Sequence, residues 1–192
     1  MDRQIIVGIT GASGVVYALR LLDCLEEAGV HVHLVVSKLG RLLLSKEGDV
    51  QNLTAEELIG RSSERLYFYN FDDLHCRLAS GSFLTDGMVI CPCSGNTLGA
   101  VAAGRADNLL TRAAMVTLKE ARRLILVHRE MPLSSIDLEN MLRLNRAGAI
   151  ICPASPGFYT KPRTVDDLID FLVGKVLDLL GIDHALKNRW VG

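Results

Sequence analysis

Ile5-Ile6-Val7-Gly8-Ile9-Thr10-Gly11-Ala12-Ser13-Gly14 is the stretch on which the fold turns. Its apolar run has the character of a strand buried on both faces, and the glycines that follow lead into a segment with helical periodicity over 15–28. Strand, glycine turn and helix in that order make a common cradle for a nucleotide phosphate. The N–H groups at the helix start face an anion, and Ser13 adds a hydroxyl donor. Gly8, Gly11 and Gly14 are spaced G-x-x-G-x-x-G, which departs from the dinucleotide fingerprint G-x-G-x-x-G.

The second apolar run, His31-Val32-His33-Leu34-Val35-Val36, ends in Ser37-Lys38. A dinucleotide site needs an acid there to accept the ribose hydroxyls, and none is present. Two readings stay open: a mononucleotide such as FMN with its phosphate on Ser13 and Ser37, or NADP with Lys38 and Arg41 around the extra phosphate.

The alternation continues along the chain. Strand-like runs over 5–9, 32–36, 88–91, 124–128 and 149–152 alternate with helical patterns over 15–28, 38–47, 54–61, 107–122, 135–146 and 165–180. Tyr67 to Phe71 adds a short strand with no assigned place. This pattern predicts a doubly wound parallel sheet covered on both faces, in a single three-layer α/β domain over 1–192. In such sheets ligands sit outside the carboxyl ends of the strands.

Composition narrows the function classes. The chain has 192 residues, 49% of them hydrophobic, and a formal net charge of -1, which argues against nucleic acid or an anionic membrane as the main partner. No apolar run approaches a membrane span, and Met1-Asp2-Arg3 leads straight into a strand, so a cytoplasmic location is expected. Cys24, Cys76, Cys91, Cys93 and Cys152 are odd in number, lack paired C-x-x-C spacing and read as reduced thiols, not as disulfides or structural zinc ligands, with Cys91 and Cys152 as small buried residues at strand ends.

A second loop of small polar residues, Cys91-Pro92-Cys93-Ser94-Gly95-Asn96-Thr97, follows the third strand and opens a helix. Ser94, Asn96 and Thr97 supply side-chain donors, and Gly95 lets a ligand approach the backbone. The plainer reading is a helix cap.

Gly11-Ala12-Ser13-Gly14, Ser37, Ala79-Ser80-Gly81-Ser82-Phe83, Pro92-Cys93-Ser94, Leu109-Leu110-Thr111-Arg112-Ala113-Ala114, Arg129-Glu130-Met131-Pro132 and Pro153-x-x-Pro156-x-Phe158-Tyr159 occur in order through nearly the whole chain. Together they resemble the flavin prenyltransferases of the UbiX type. The resemblance implies a Rossmann-like (flavodoxin-like) fold. It also implies attachment of a dimethylallyl group from dimethylallyl phosphate to N5 and C6 of reduced FMN, without a metal, giving prenylated FMN for a UbiD-type decarboxylase. It further implies a homo-oligomer, a dodecamer, with sites at subunit interfaces. Asn96 stands where many relatives have lysine, and the Ser-Gly-Asn-Thr form is associated with members serving phenolic acid decarboxylases.

The residue roles follow from the resemblance. Flavin contacts fall to Gly11, Ala12, Ser13, Ser37, Ser94, Gly95, Asn96, Thr97, Arg112 and Arg129. Glu130, Ser13, Lys119 and Arg129 are the expected catalytic groups. Glu130 moves protons, and the cations stabilise charge on a departing phosphate, Lys119 acting across a subunit interface. Ser80, Tyr159 and Lys175 face the substrate phosphate, and Trp190 covers the prenyl chain. From spacing alone, Arg112 and Lys119 read as a solvated helix face, Arg129-Glu130 as an ion pair and Lys175 as the edge of an apolar stripe.

Two competitors stay in view. Pro92-x-Ser94-x-Asn96-Thr97 and His75 also resemble the flavin-dependent cysteine decarboxylases such as phosphopantothenoylcysteine decarboxylase, although the later Pro-x-Met-Asn clamp has no counterpart after Cys152. A non-catalytic FMN carrier is the other. Asp166-Asp167-Leu168-Ile169-Asp170 spells the D-D-x-x-D magnesium clamp of all-helical prenyl diphosphate enzymes, but here it reads as acids in the first turns of a helix capped by Thr164. His31 and His33 share a strand face without further ligands and imply no metal.

Overall fold

In a computed structural model describing residues 3–186, the chain forms one six-stranded sheet in the order β3-β2-β1-β4-β5-β6. The strands are β1 Gln4–Ile9, β2 His31–Val36, β3 Leu66–Tyr69, β4 Gly87–Cys93, β5 Arg123–His128 and β6 Ile150–Ile151, and every neighbouring pair is parallel. The helices are α1 Val15–Glu27, α2 Lys38–Glu47, α3 Ala55–Ile59, α4 Gly95–Ala102, α5 Leu109–Lys119, α6 Ser135–Arg146 and α7 Val165–Leu180. This is the doubly wound, flavodoxin-like α/β arrangement expected from the alternation of runs.

Side chains alternate between two apolar layers, as the period of a strand requires. Ile5, Val7 and Ile9 pack with Leu21, Leu25, Val173 and Leu177 on the α1–α7 side. Ile6, Met88, Leu124 and Leu126 pack with Leu98, Leu109 and Leu144 on the α4–α6 side.

Boundaries moved where local hydrogen bonding overrides the apolar pattern. Helix α5 begins at Leu109, two residues later than its pattern, because Asn108 caps it by accepting the Thr111 N–H at 3.0 Å. Strand β4 runs on to Cys93, with a register irregularity between Ile90 and Cys93. Strand β6 shrinks to two residues, since Pro153 has no N–H for a ladder. The Tyr67–Phe71 run becomes the edge strand β3, one residue earlier than its aromatic pattern.

The acids of 166–170 are structural. Asp167 shares a capping box with Thr164, and Asp170 pairs with Arg20 at 2.7 Å. His33 is buried with Nδ1 3.0 Å from the Tyr69 hydroxyl and Nε2 2.7 Å from Gln4 Oε1. All five cysteines are free, and burial pushes the Cys93 thiol up to about 12, which makes it inert.

Candidate functional site

Parallel pairing of β1 with β4 brings the Gly11 turn and the Ser94 loop side by side at the carboxyl edge of the sheet. Thr10, fully buried, joins them: its hydroxyl donates to the Pro92 carbonyl at 2.7 Å and accepts the Ser94 N–H at 2.9 Å. Gly11 has a steric reason, because a Cβ there would lie 2.5 Å from Leu39 Cβ. Gly14 caps α1 at φ 105°, a left-handed conformation that suits glycine.

The anion at the start of α1 comes from the protein itself. Glu47, in the last turn of α2, accepts the N–H of Gly14 at 2.8 Å and of Val15 at 3.4 Å. Partial burial opposes its charge, but the Gly14 amide, the Ser13 side chain, the Val15 amide and Arg129 together hold the carboxyl below its ordinary range. The expectation that these helix amides stand open to a ligand is corrected accordingly. Arg129 reaches the same turn, donating from Nε to the Ser13 carbonyl at 3.2 Å.

Beside the turn lies an open cleft of about 770 Å³ walled by Gly11, Ser94, Gly95, Asn96, Glu130 and Asp137. It adjoins a smaller recess of about 210 Å³ that holds Ser37, Asn96 and Thr97. A Cβ on Gly95 would stand 3.3 Å from Asp137 Oδ1 and 3.7 Å from Glu130 Oε2, so the missing side chain keeps the cleft open between two carboxylates. Ser94 accepts the Thr97 N–H at 3.4 Å, and Ser37 accepts the Gly40 N–H at 3.0 Å. Both serines are therefore helix caps, as the plainer reading of the Ser94 loop had it. The Ser37 hydroxyl, an acceptor in that bond, keeps its hydrogen for a ligand, whereas that of Ser94 donates to Thr97 Oγ1 at 3.1 Å. The open backbone at Gly95, with the Ser94 and Asn96 side chains beside it as well as the Glu130 and Asp137 carboxylates, fits a flavin edge.

Other expected residues gather elsewhere. Ser80, Arg112 and Lys119 line a second cleft of about 540 Å³ that shares no wall residue with the first. There Arg112 Nε donates to the Ala79 carbonyl at 3.1 Å and Lys119 pairs with Glu120 at 2.5 Å. Tyr159 is exposed and meets the Phe171 ring edge-on at 5.6 Å, while Lys175 on α7 lies near enough to Cys152 to oppose the rise in that thiol's pKa caused by burial. Glu130 and Arg129 form no ion pair with each other among the described residues, which corrects the reading of them as a structural pair. Glu130 Oε1 instead accepts the Met131 N–H at 3.2 Å. Trp190 lies outside the described residues.

Four residues of this region escaped the sequence reading: Thr10, Glu47, Arg105 and His128. Arg105 borders both parts of the cleft and pairs with Asp107. His128 Nδ1 lies 2.9 Å from the Cys93 carbonyl oxygen. One signal for Glu47 was available, since an acid in a helix's last turn opposes that helix's dipole and calls for another partner. The NADP alternative loses its cations: Lys38 pairs with Asp72 at 3.3 Å, and neither it nor Arg41 lies on the cleft wall. His75 is exposed and also lies off that wall.

Comparison with known proteins agrees with this geometry. A family model described as Flavoprotein matches residues 1–177. The flavin prenyltransferase UbiX of Thermoplasma acidophilum is 49% identical over 187 residues, covering 97% of this chain and 99% of its own. The solved structure of AnUbiX (PadA1) in complex with FMN and dimethylallyl pyrophosphate superimposes with a TM-score of 0.93 at 42% identity, covering 100% of this chain and 99% of that one. A dodecameric FMN-dependent UbiX-like decarboxylase from Escherichia coli O157:H7 gives 0.89 at 44% identity, covering 98% and 100%. Fold, glycine turn, polar loop and sequence thus converge, and the chain belongs to the flavoprotein family as one of its UbiX flavin prenyltransferases.

Proposed function

We propose that the chain binds FMN in the cleft between the Gly11 turn and the Ser94 loop and transfers a dimethylallyl group to it from dimethylallyl phosphate. The observation that carries this reading is the meeting of Glu130, Gly95 and Ser94 on one wall, with Arg129 tied to the Ser13 turn beside it. Reduced flavin held there would supply the nucleophile: N5 would bond the allylic carbon and lose its proton as the carbon–oxygen bond to phosphate breaks, and C6 would then bond the far prenyl carbon as the alkene gains one proton and C6 gives one up.

The chain's own residues bind, orient and neutralise. Gly11, Ala12 and Ser13 bring backbone close to the flavin, and Ser37, Ser94, Gly95, Asn96 and Thr97 surround its polar edge and phosphate. Arg129, with Tyr159 and Lys175, receives the donor phosphate and stabilises the charge gathered there as it leaves, which removes the need for a metal. Glu130 takes up and returns the proton exchanged with that phosphate. Glu47 belongs to the same group, because its carboxylate is bonded to the Ser13–Val15 turn and senses Arg129.

Ser80, Arg112 and Lys119 serve the site of a neighbouring copy in a homo-oligomer, which accounts for their lying in a separate cleft of their own chain. The similarity to a dodecameric relative supports a dodecamer. Residues 1–192 act as one domain, the prenylated flavin passes to a UbiD-type decarboxylase, and the enzyme works in the cytoplasm. None of the described helices is long and apolar enough to cross a membrane.

The test is anaerobic release of inorganic phosphate from dimethylallyl phosphate by the protein loaded with reduced FMN. Release in step with loss of reduced-flavin absorbance is expected. Absence of release from protein with full FMN occupancy contradicts the reading and leaves a flavin carrier.

A further inference from the structure

We infer that His128 is a positioning residue for the flavin, holding the Cys93 carbonyl and, through it, the Ser94–Thr97 loop. This rests on the reading of the cleft as the FMN site.

His128 closes β5 and is 3% exposed. Its strand neighbours of the same parity, Leu124 and Leu126, belong to the apolar layer under α4 and α6, so its imidazole enters that layer at its edge, where Asp137 of α6 is close enough to sense it. Nδ1 lies 2.9 Å from the Cys93 carbonyl oxygen. A carbonyl only accepts, so Nδ1 carries a hydrogen in either protonation state of the ring. The same carbonyl takes the Arg129 N–H at 3.3 Å. The two residues from which the loop departs are thus each fixed by a buried side chain, Pro92 by Thr10 and Cys93 by His128.

His128 Nε2 is enclosed and has no hydrogen-bond partner among the described residues. A stranded buried nitrogen is costly, and a leucine would fill the place without it. What the imidazole contributes in return is the bond from Nδ1, placed between the flavin loop on one side and Arg129-Glu130 on the other. Loss of that bond leaves the Cys93 carbonyl to the longer Arg129 N–H bond alone, which loosens both the loop and the strand end that carries Arg129.

The test uses the full chain with three substitutions. His128→Asn keeps an amide nitrogen near the Nδ1 position, His128→Gln keeps one near Nε2, and His128→Leu keeps neither. FMN affinity is measured at a temperature where each variant is folded. Leu and Gln are expected to weaken FMN binding about fivefold to tenfold, the effect of one lost hydrogen bond, and Asn to stay within about twofold of the parent. A role in packing alone would lower thermal stability in all three without this order in FMN affinity. Parent-like affinity in His128→Leu, or equal weakening by Asn and Gln, overturns the inference. A companion measurement needs no substitution: ¹⁵N NMR of the parent protein is expected to show a protonated His128 Nδ1 whose signal shifts when FMN is added. A bare Nδ1, or a signal that FMN leaves in place, also overturns it. Failure of the parent protein to bind FMN would instead sink the reading of the cleft.

Discussion

Glu47 and Gly14 are 33 residues apart in sequence and joined by a 2.8 Å hydrogen bond, so an acid at the end of α2 caps the start of α1. The position is unfavourable for α2, whose carboxyl end repels the charge, and favourable for α1, whose amino end attracts it. Glu47→Ala is expected to cost about 0.5–2 kcal/mol, as for loss of a helix cap. Because the folded carboxyl is held below its ordinary value, its contribution is full above about pH 4.5 and disappears as pH falls through the lower folded value. Urea unfolding between pH 7 and pH 3 should show this component in the parent protein and not in Glu47→Gln.

Gly11→Ala places a methyl group 2.5 Å from Leu39 Cβ, a contact that only movement of the turn or of α2 relieves. Overpacking of this kind costs about 1–3 kcal/mol. The expected outcome is a lower melting temperature together with weaker FMN binding, read by calorimetry and fluorescence titration. Gly29→Ala is the contrasting control, since its added Cβ meets nothing within 4 Å and only its φ of 73° opposes it.

The buried His33 gives a second pH dependence. Burial, followed by Arg77 and His31, lowers its pKa from the ordinary 6.5 to about 4. The unfolded chain then binds the proton more readily, so this contribution is full above pH 6.5, falls towards pH 4 and levels off below. The whole span is worth at most about 3 kcal/mol. His33→Asn should lower stability at pH 7 while flattening the curve between pH 6.5 and pH 4, as followed by denaturant unfolding.

The sheet was legible because β1, β4 and β5 are nearly continuous apolar runs and β2 ends in one, a pattern that fits strands covered on both faces. The turn and the loop were legible because glycine, serine and asparagine cluster where strands give way to helices. Glu47, Thr10 and His128 were not, since each acts through a contact between segments distant in sequence. Glu47 reads as one more exposed acid on α2, and Thr10 and His128 as the ends of apolar runs. The second cleft was hidden for a related reason: a spacing of seven places Arg112 and Lys119 on one face of α5 but does not say what that face meets.

Glu130 separates chemistry from binding. Glu130→Gln keeps the size of the side chain beside Gly95 and loses its capacity to exchange a proton. FMN affinity should change by less than about threefold, whereas the rate of flavin modification should fall by about 10²–10⁴, the usual worth of a positioned acid or base. Single-turnover absorbance measurements under anaerobic conditions give both quantities.

The central claim is that the flavin held between the Gly11 turn and the Ser94 loop is the molecule being remodelled. The most direct measurement mixes the protein anaerobically with reduced FMN and dimethylallyl phosphate, extracts the flavin and weighs it by mass spectrometry. The account predicts a flavin heavier by one five-carbon prenyl unit, formed by the parent protein and strongly diminished in Glu130→Gln. Recovery of unmodified FMN from a fully loaded protein would contradict it.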